Sequence, residues 1–227
     1  MIREFADGET LAMALAAHIA EAIRHRLRRD GKAAIAVSGG TTPVKFFRAL
    51  SGQTLNWAAV TITLVDDRWV PPASPRSNAA MVRANLLQGL AAAAAFLPLV
   101  NGAATPEDDR EAAEKAIGLL ALPFAAVTLG MGTDGHTASF FPGGDRLAQA
   151  LNPAGRLLET MHAKAAIEPR ITLTLPVLLA ADAIAIQIEG ITKCQILDDA
   201  MRAGPVTDMP VRAVLAHQPP PDIFWCP

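Results

Sequence analysis

The sequence has no tyrosine, and aromatic residues make up only 5% of its 227 residues. Hydrophobic residues nevertheless reach 51%, so alanine, leucine, isoleucine and valine must fill most of the core. A chain of this length folds as one domain or as a closely integrated pair. No linker, repeat or block of charge divides it, and we therefore predict a single domain over residues 1–227.

Cysteine is scarce, and neither sign of charge is in large excess. Cys194 and Cys226 form no Cys-x-x-Cys or metal-binding pattern, which favours free thiols in a reducing cytoplasm. The net charge of −2 argues against a nucleic-acid partner held by bulk electrostatics, although a local group of cations can still bind a small anion. No His, Cys and carboxylate residues have metal-ligand spacing, so we expect no metal in the site.

Long hydrophobic runs are also missing. No stretch of about 18 apolar residues occurs, so we expect no membrane span and no membrane partner. Residues 1–10 include Arg3, Glu4 and Asp7 and lack the apolar stretch of a signal peptide. These features predict a cytoplasmic protein, which we expect to be a monomer or a weak homo-oligomer.

Short apolar runs alternate with helical patterns along the chain. Strands are predicted over residues 32–37, 60–65, 124–129, 157–161, 171–175, 183–188 and 211–215. Helices are predicted over residues 10–29, 44–50, 79–90, 106–120 and 191–201; Thr10 caps the first, whose arginine-rich end is expected to be solvated. This alternation predicts an α/β fold with three layers, in which helices cover both faces of a mostly parallel sheet.

A glycine-rich loop follows the predicted strand 124–129. Its glycines at positions 130, 132 and 135 enclose Asp134 and directly precede His136, and both side chains are candidates for proton transfer. The spacing also matches the Gly-x-Gly-x-x-Gly fingerprint of dinucleotide-binding proteins, which requires a helix starting at the third glycine. Pro142 and the two glycines after it leave little room for that helix, which disfavours a nucleotide site.

A second glycine loop joins the predicted strand 32–37 to the helix 44–50. It consists of Ser38, Gly39, Gly40, Thr41 and Thr42, and we call it the 38–42 loop. Backbone N–H groups, hydroxyls and a helix N-terminus favour the binding of phosphate at such a place. The alternative is an ordinary strand-to-helix turn that is rich in small residues.

Charged residues lie at two further strand ends. Asp66, Asp67 and Arg68 follow the strand 60–65, where open α/β sheets place their ligand crevice. The alternative is a salt bridge within the loop, with Ser77 or Asn78 as a helix cap. Lys193 lies in the first turn of a predicted helix, where its charge opposes the helix dipole, which suggests that it meets an anion.

Four separated motifs resemble the 6-phosphogluconolactonase family. They are SGGTTP (38–43), DDRWVPPASPRSN (66–78), LGMGTDGHTASFFPG (129–143) and PRITLTLPVL (169–178), with GITKC (190–194) as a weaker fifth. The resemblance implies a fold shared with glucosamine-6-phosphate deaminases and ribose-5-phosphate isomerases. It also implies hydrolysis of 6-phosphogluconolactone to 6-phosphogluconate in the pentose phosphate pathway, without a metal or organic cofactor.

The resemblance also implies roles for single residues. His136 would take a proton from water, and Asp134 would orient the imidazole or stabilise its charged form. The 38–42 loop, Arg170 and Lys193 would bind the phosphate, while Asp67 and Arg68 would lie near the rest of the substrate. No Gly-x-Ser-x-Gly sequence occurs, so we expect direct attack by water.

Two other functions fit the same motifs less well. An amino-sugar-phosphate deaminase or isomerase needs an acid that moves a proton between two carbons, but no carboxylate follows His136 before Asp145. A non-catalytic sugar-phosphate sensor would normally carry a basic DNA-binding helix-turn-helix, and the N-terminal helix predicted here is single.

Overall fold

The computed structural model describes residues 1–152 and 154–227, and two sheets organise them. The strands are β1 (Ile2–Glu4), β2 (Ala33–Val37), β3 (Val60–Leu64), β4 (Asp66–Arg68), β5 (Ala95–Phe96), β6 (Ala126–Leu129), β7 (Leu158–Met161), β8 (Arg170–Leu173), β9 (Ile184–Glu189) and β10 (Asp222–Cys226). Seven form a parallel sheet in the order β1-β10-β9-β6-β2-β3-β5. The other three form an antiparallel sheet in the order β4-β8-β7.

Eight α-helices pack around the sheets. They are α1 (Gly8–Asp30), α2 (Val44–Ser51), α3 (Asn78–Asn85), α4 (Pro106–Gly118), α5 (Leu147–Leu151), α6 (Leu175–Leu179), α7 (Ile191–Met201) and α8 (Val211–Leu215). Every residue of β2 and the first five of β9 are buried, so both faces of the sheet are covered. The predicted α/β class with a mostly parallel sheet is therefore confirmed. Among the described helices, none combines the length and apolar character needed to cross a membrane.

The long helix α1 begins and ends at clear signals. Its N-cap is Asp7, not Thr10 as predicted; the Asp7 carboxylate accepts from the Thr10 N–H at 2.8 Å, and the Thr10 hydroxyl accepts from the Asp7 N–H. Gly31 ends the helix with a φ of 72°, a left-handed conformation that glycine adopts readily.

The prediction of a fully solvated arginine-rich end on α1 is wrong for one residue. Arg26 is 2% exposed, because its guanidinium donates to the Asp182 carboxylate at 2.7 Å and to the carbonyls of Pro123 and Phe124. The contacts fasten α1 to the segment that enters β6. A buried arginine of this kind needs such partners to offset its desolvation.

Several predicted elements differ from the structure. Residues 211–215 form the helix α8 and not a strand, because Pro210 starts a helical turn and the Val211 N–H donates to the carbonyl of Gly135. The final strand is instead β10, which lies between β1 and β9. Helix α3 also ends at Asn85, earlier than predicted, and a 3-10 helix (Gly89–Ala93) follows it.

The order of the main sheet determines where a site can form. Strands β9, β6, β2 and β3 are neighbours and run in the same direction, so their carboxyl ends meet at one edge. The segments that follow them carry the charged, glycine-rich and histidine-containing motifs of the sequence. Open parallel sheets bind ligands at this edge.

Candidate active site

A cavity of about 340 Å³ opens at the carboxyl ends of these four strands. The chain segments after β2, β3, β6 and β9 all contribute to its walls, and β8 of the small sheet closes one side. Predicted site residues in the lining are Ser38, Gly39, Gly40, Thr41, Thr42, Arg68, His136, Arg170 and Lys193. Residues that lie far apart in the sequence therefore share one space.

The 38–42 loop forms the cavity wall between β2 and α2. The Ser38 N–H donates to the Thr128 carbonyl at 3.0 Å, which extends the pairing of β2 with β6 by one residue. Gly40 has a φ of 96° and turns the chain towards α2, which begins directly after Pro43. The loop thus places small residues and hydroxyls next to a helix N-terminus, an arrangement that suits an anion.

His136 and Asp134 form a hydrogen-bonded pair at the rim of the cavity. The imidazole Nδ1 lies 2.5 Å from Asp134 Oδ1, which also accepts from the His136 backbone N–H at 3.1 Å. Burial acts to raise the pKa of Asp134, but the hydrogen bond and charge of His136 outweigh it and hold the pKa below its ordinary value. The ionised carboxylate therefore accepts a hydrogen bond from Nδ1–H, which leaves Nε2 as the basic nitrogen.

Two glycines allow this pair to form. A Cβ at Gly132 would lie 2.2 Å from the His136 ring and 2.7 Å from Asp134 Oδ1, so a side chain there would displace the pair. Gly135 has a φ of 76°, and a Cβ on it would lie 2.8 Å from Met209. The next helix after Gly135 is α5 (Leu147–Leu151), so the helix of a dinucleotide site is missing, as the sequence predicts.

Arg170 and Arg68 face the cavity from the small sheet, where β8 and β4 pair them directly. The Nε atoms of both are buried and donate to no partner among the described residues. Burial lowers the pKa of Arg170, while Asp66 acts in the opposite direction. Arg68 donates from Nη1 to the Arg76 carbonyl at 2.7 Å. Two half-buried arginines with unused Nε donors form a strong site for an anion or a developing oxyanion.

Lys193 adds a third cation from the first turn of α7. Burial lowers the pKa of its ammonium group, and the nearby Glu189 raises it. Gly190, with a φ of 95°, makes the turn from β9 into α7. Gln187 on β9 donates to the Thr42 carbonyl at 3.3 Å and so links this wall to the 38–42 loop.

Asp67 does not lie in the cavity wall, in contrast to its predicted contact with substrate. Its buried carboxylate accepts from the backbone N–H groups of Arg68 and Asn78 at 2.8 Å and of Ala79 at 3.2 Å. Burial raises the pKa of Asp67 to about 6, although these N–H groups act to lower it. The geometry therefore gives Asp67 a structural role: it holds the loop and the N-terminus of α3 through backbone N–H groups and not through the salt bridge of the alternative prediction. The other part of that alternative is present, since Ser77 caps α3.

Three further cavity residues are not predicted from the sequence, and they are Asn78, Phe141 and Gln187. Asp66, which the sequence places at the expected ligand crevice together with Asp67, also lines the cavity. The Phe141 ring lies 4.5 Å from the His136 ring and 5.4 Å from the guanidinium carbon of Arg170. The motifs contained Asp66, Asn78 and Phe141, but a one-dimensional pattern does not say which of two adjacent acids faces inwards.

The site contains no obvious metal centre within residues 1–152 and 154–227. No group of three or more His, Cys, Asp or Glu side chains in this part of the chain is placed to hold an ion. Its polar groups are cations, hydroxyls, the amides of Asn78 and Gln187, the Asp66 carboxylate and the His136 imidazole, which pairs with Asp134.

Comparisons with known proteins agree with this architecture. Residues 6–225 match the family model of glucosamine-6-phosphate isomerases/6-phosphogluconolactonase. The chain is 48% identical to a 6-phosphogluconolactonase of Mesorhizobium japonicum, over 98% of this chain and 94% of that protein.

Solved structures give the same result. A 6-phosphogluconolactonase from Shewanella baltica superposes with a TM-score of 0.97 at 36% identity, over 100% of this chain and 97% of that one. A monomeric glucosamine-6-phosphate deaminase, at 16% identity, shares the fold with a TM-score of 0.76, over 99% of this chain and 96% of that one. The chain therefore belongs to the glucosamine-6-phosphate isomerase/6-phosphogluconolactonase family.

Proposed function

We propose that this protein hydrolyses 6-phospho-D-glucono-1,5-lactone to 6-phospho-D-gluconate, a step of the oxidative pentose phosphate pathway. One observation carries the proposal: His136, which is hydrogen-bonded to Asp134, lines the same cavity as three cationic side chains, Arg68, Arg170 and Lys193. An enzyme that hydrolyses the lactone of a sugar phosphate needs a base for the water and a site for the phosphate, and this cavity contains both. The names of the relatives support the same reaction.

His136 acts on the nucleophilic water in this proposal. Nε2 takes a proton from water as the oxygen attacks the lactone carbonyl, and a tetrahedral intermediate forms. When the bond to the ring oxygen breaks, the imidazolium returns that proton to the leaving alkoxide, so the histidine ends the cycle neutral. Asp134 keeps Nδ1 protonated and stabilises the imidazolium.

Cations bind the phosphate of the substrate and face the lactone carbonyl, where negative charge develops as water attacks. The 38–42 loop, Arg170 and Lys193 bind the 6-phosphate, while Arg68 lies towards the carbonyl or the ring hydroxyls. The role of Arg68 follows from its unused donors beside Arg170. No metal or organic cofactor takes part in this proposed reaction, because water activation and charge stabilisation both come from side chains.

The wider setting is also a proposal. We propose that residues 1–227 act as one domain, as a monomer or weak homo-oligomer in the cytoplasm. Cys194 and Cys226 are both free thiols, which suits a reducing compartment.

The test is an assay with two substrates. The lactone is generated in situ by oxidation of glucose 6-phosphate, and its opening is followed by acid release above the spontaneous rate. In a parallel assay, ammonia release from glucosamine 6-phosphate is measured. We expect fast lactone opening and no ammonia. Ammonia release would favour the deaminase, and binding of 6-phosphogluconate without turnover of either substrate would favour a sensor.

A further inference from the structure

The turn that follows His136 contains a strained residue. Ala138 has a φ of 48°, and no other non-glycine residue in the described part of the chain has a positive φ. Alanine adopts this left-handed conformation at a cost, which persists only where the surroundings impose it. Ala138 also lines the cavity, so the strain lies at the proposed active site.

The strained turn directs the next side chain inwards. Thr137 and Phe140 bridge across the turn, and the Phe140 N–H donates to the Thr137 carbonyl at 3.0 Å. Ser139 between them is fully buried, and its Oγ donates to Asp66 Oδ2 at 2.5 Å. The hydroxyl therefore connects the histidine loop to the strand end that carries Asp66 and Arg68.

The Asp66 carboxylate depends on this hydrogen bond. Its side chain is 8% exposed and lines the cavity, and its nearest cation, Arg170 Nη1, is 3.9 Å away, beyond hydrogen-bond distance. Among the described residues, Ser139 alone donates a hydrogen bond to this carboxylate, and it does so to Oδ2. Oδ1 is left without a protein donor and is available to a ligand.

We propose that Ser139 is a positioning residue, which fixes the Asp66 carboxylate so that Oδ1 faces the bound sugar as a hydrogen-bond acceptor. The strained conformation of Ala138 is what places the Ser139 hydroxyl against Oδ2. Without that hydroxyl the Asp66 carboxylate turns towards Arg170, and neither of these two side chains can then bind the substrate. This inference rests on the proposed lactonase activity.

A double-mutant cycle tests the inference. Ser139→Ala, Asp66→Asn and the double variant are compared with wild type for kcat/KM on the lactone. Because a hydrogen bond to a buried charge is lost, Ser139→Ala is expected to reduce kcat/KM about 10- to 100-fold. In the Asp66→Asn background the same change should reduce it less than about threefold, because the two residues act as one unit.

Ser51→Ala is the matched control. Ser51 is also a buried serine, whose hydroxyl donates to the Arg48 carbonyl at 2.8 Å, and it lies at the far end of α2. It should keep the wild-type kcat/KM. If Ser139→Ala fails to fold, Ser139→Cys, of similar volume but with a weaker donor, replaces it in the cycle.

The outcomes separate the two proposals. Losses that multiply in the double variant, or full activity of a folded Ser139 variant, would overturn the positioning role while leaving the lactonase proposal intact. A wild-type protein that does not open the lactone would overturn the proposed function itself. In that case, binding of 6-phosphogluconate by calorimetry takes the place of kcat/KM in the same cycle, and equal affinity of wild type and Ser139→Ala would overturn the positioning role.

Discussion

At the scale of single residues, the site combines one acid–base pair with several cations. Asp134 is ionised and bonds to Nδ1 of His136, so the tautomer of the imidazole is set by its neighbour. Arg170 has a different environment, because its guanidinium is largely buried and its Nε has no partner among the described residues. The unused donors of Arg170 are available for a dianionic phosphate.

Arg170→Ala tests that assignment. We expect KM for the phosphorylated lactone to rise about 10- to 100-fold, the usual result of losing a hydrogen bond to a charged group. The opening of phosphate-free glucono-1,5-lactone should change far less. Both substrates are measured with the variant and with Arg202→Ala, a control at a side chain that is 76% exposed. Equal losses on the two lactones would show that Arg170 does not bind the phosphate.

Some site residues can be predicted from local sequence motifs. Others enter the site only because the fold pairs distant segments, which the sequence does not show. His136 and the 38–42 loop have their own sequence signatures, a glycine-rich strand end and a strand–loop–helix boundary. Asp66 and Ser139 have no such signature, since they meet across 73 positions of sequence. The choice between Asp66 and Asp67 depends on the alternation of a short strand, β4, which the sequence did not reveal.

At the scale of secondary-structure elements, Asp67 connects the cavity wall to helix α3. Its carboxylate accepts the N–H groups of Asn78 and Ala79, which are among the unpaired donors at the start of that helix. Asn78 in turn donates to the Asp66 carbonyl at 3.0 Å, and its side chain lies against Gly39. The loop between β4 and α3 is therefore held at both of its ends.

The buried Asp67 gives a prediction about pH. An aspartate in an unfolded chain has a pKa of about 3.9, and burial raises the pKa of Asp67 to about 6. Between these two pH values the folded protein binds more protons than the unfolded chain. Protonation of Asp67 therefore stabilises the fold, with its full effect below about pH 4, and the effect is lost as the pH rises through 6.

Asp67→Asn removes that dependence on pH. Between pH 4 and pH 7 the stability of wild type should fall relative to the variant by about 2 kcal/mol. Urea unfolding at several pH values measures the difference, with Asp198→Asn on the exposed surface of α7 as the control. A difference between wild type and Asp67→Asn that stays constant with pH would contradict the raised pKa.

The elements that the sequence failed to reveal share a physical cause. The run 211–215 is short and apolar, and such a run fits a buried strand and a buried helix equally well. The hydrogen bond from the Val211 N–H to the Gly135 carbonyl and the helical turn at Pro210 favour the helix α8. Long amphipathic segments such as α1 were predicted well because their period extends over several turns.

At the scale of the whole molecule, the two ends of the chain complete the main sheet. Strand β10 lies between β1 and β9 and pairs in parallel with both. Phe224 at its centre is fully buried, stacks on Phe5 at 5.7 Å and lies next to His18. The strand cannot be predicted from its own five residues, since neighbours distant in sequence supply its pairing.

Phe224→Ala tests how much this packing contributes to the stability of the fold. We expect a loss of about 3–5 kcal/mol in the free energy of unfolding, as for other fully buried phenylalanines. The active site lies elsewhere, so kcat of the folded fraction should stay close to wild type. Urea unfolding provides the measurement, with Leu119→Ala, 80% exposed, as the control. A loss below about 1 kcal/mol would mean that β10 contributes little to the core.

The most direct test of the whole account is the rate of lactone opening by His136→Ala. The fold brings four strand ends together, and their joint function depends on the base that His136 provides. A general base contributes about 10²- to 10⁴-fold, so kcat should fall by that factor while the variant stays folded. A folded His136→Ala protein that opens 6-phosphogluconolactone at the wild-type rate would contradict the account.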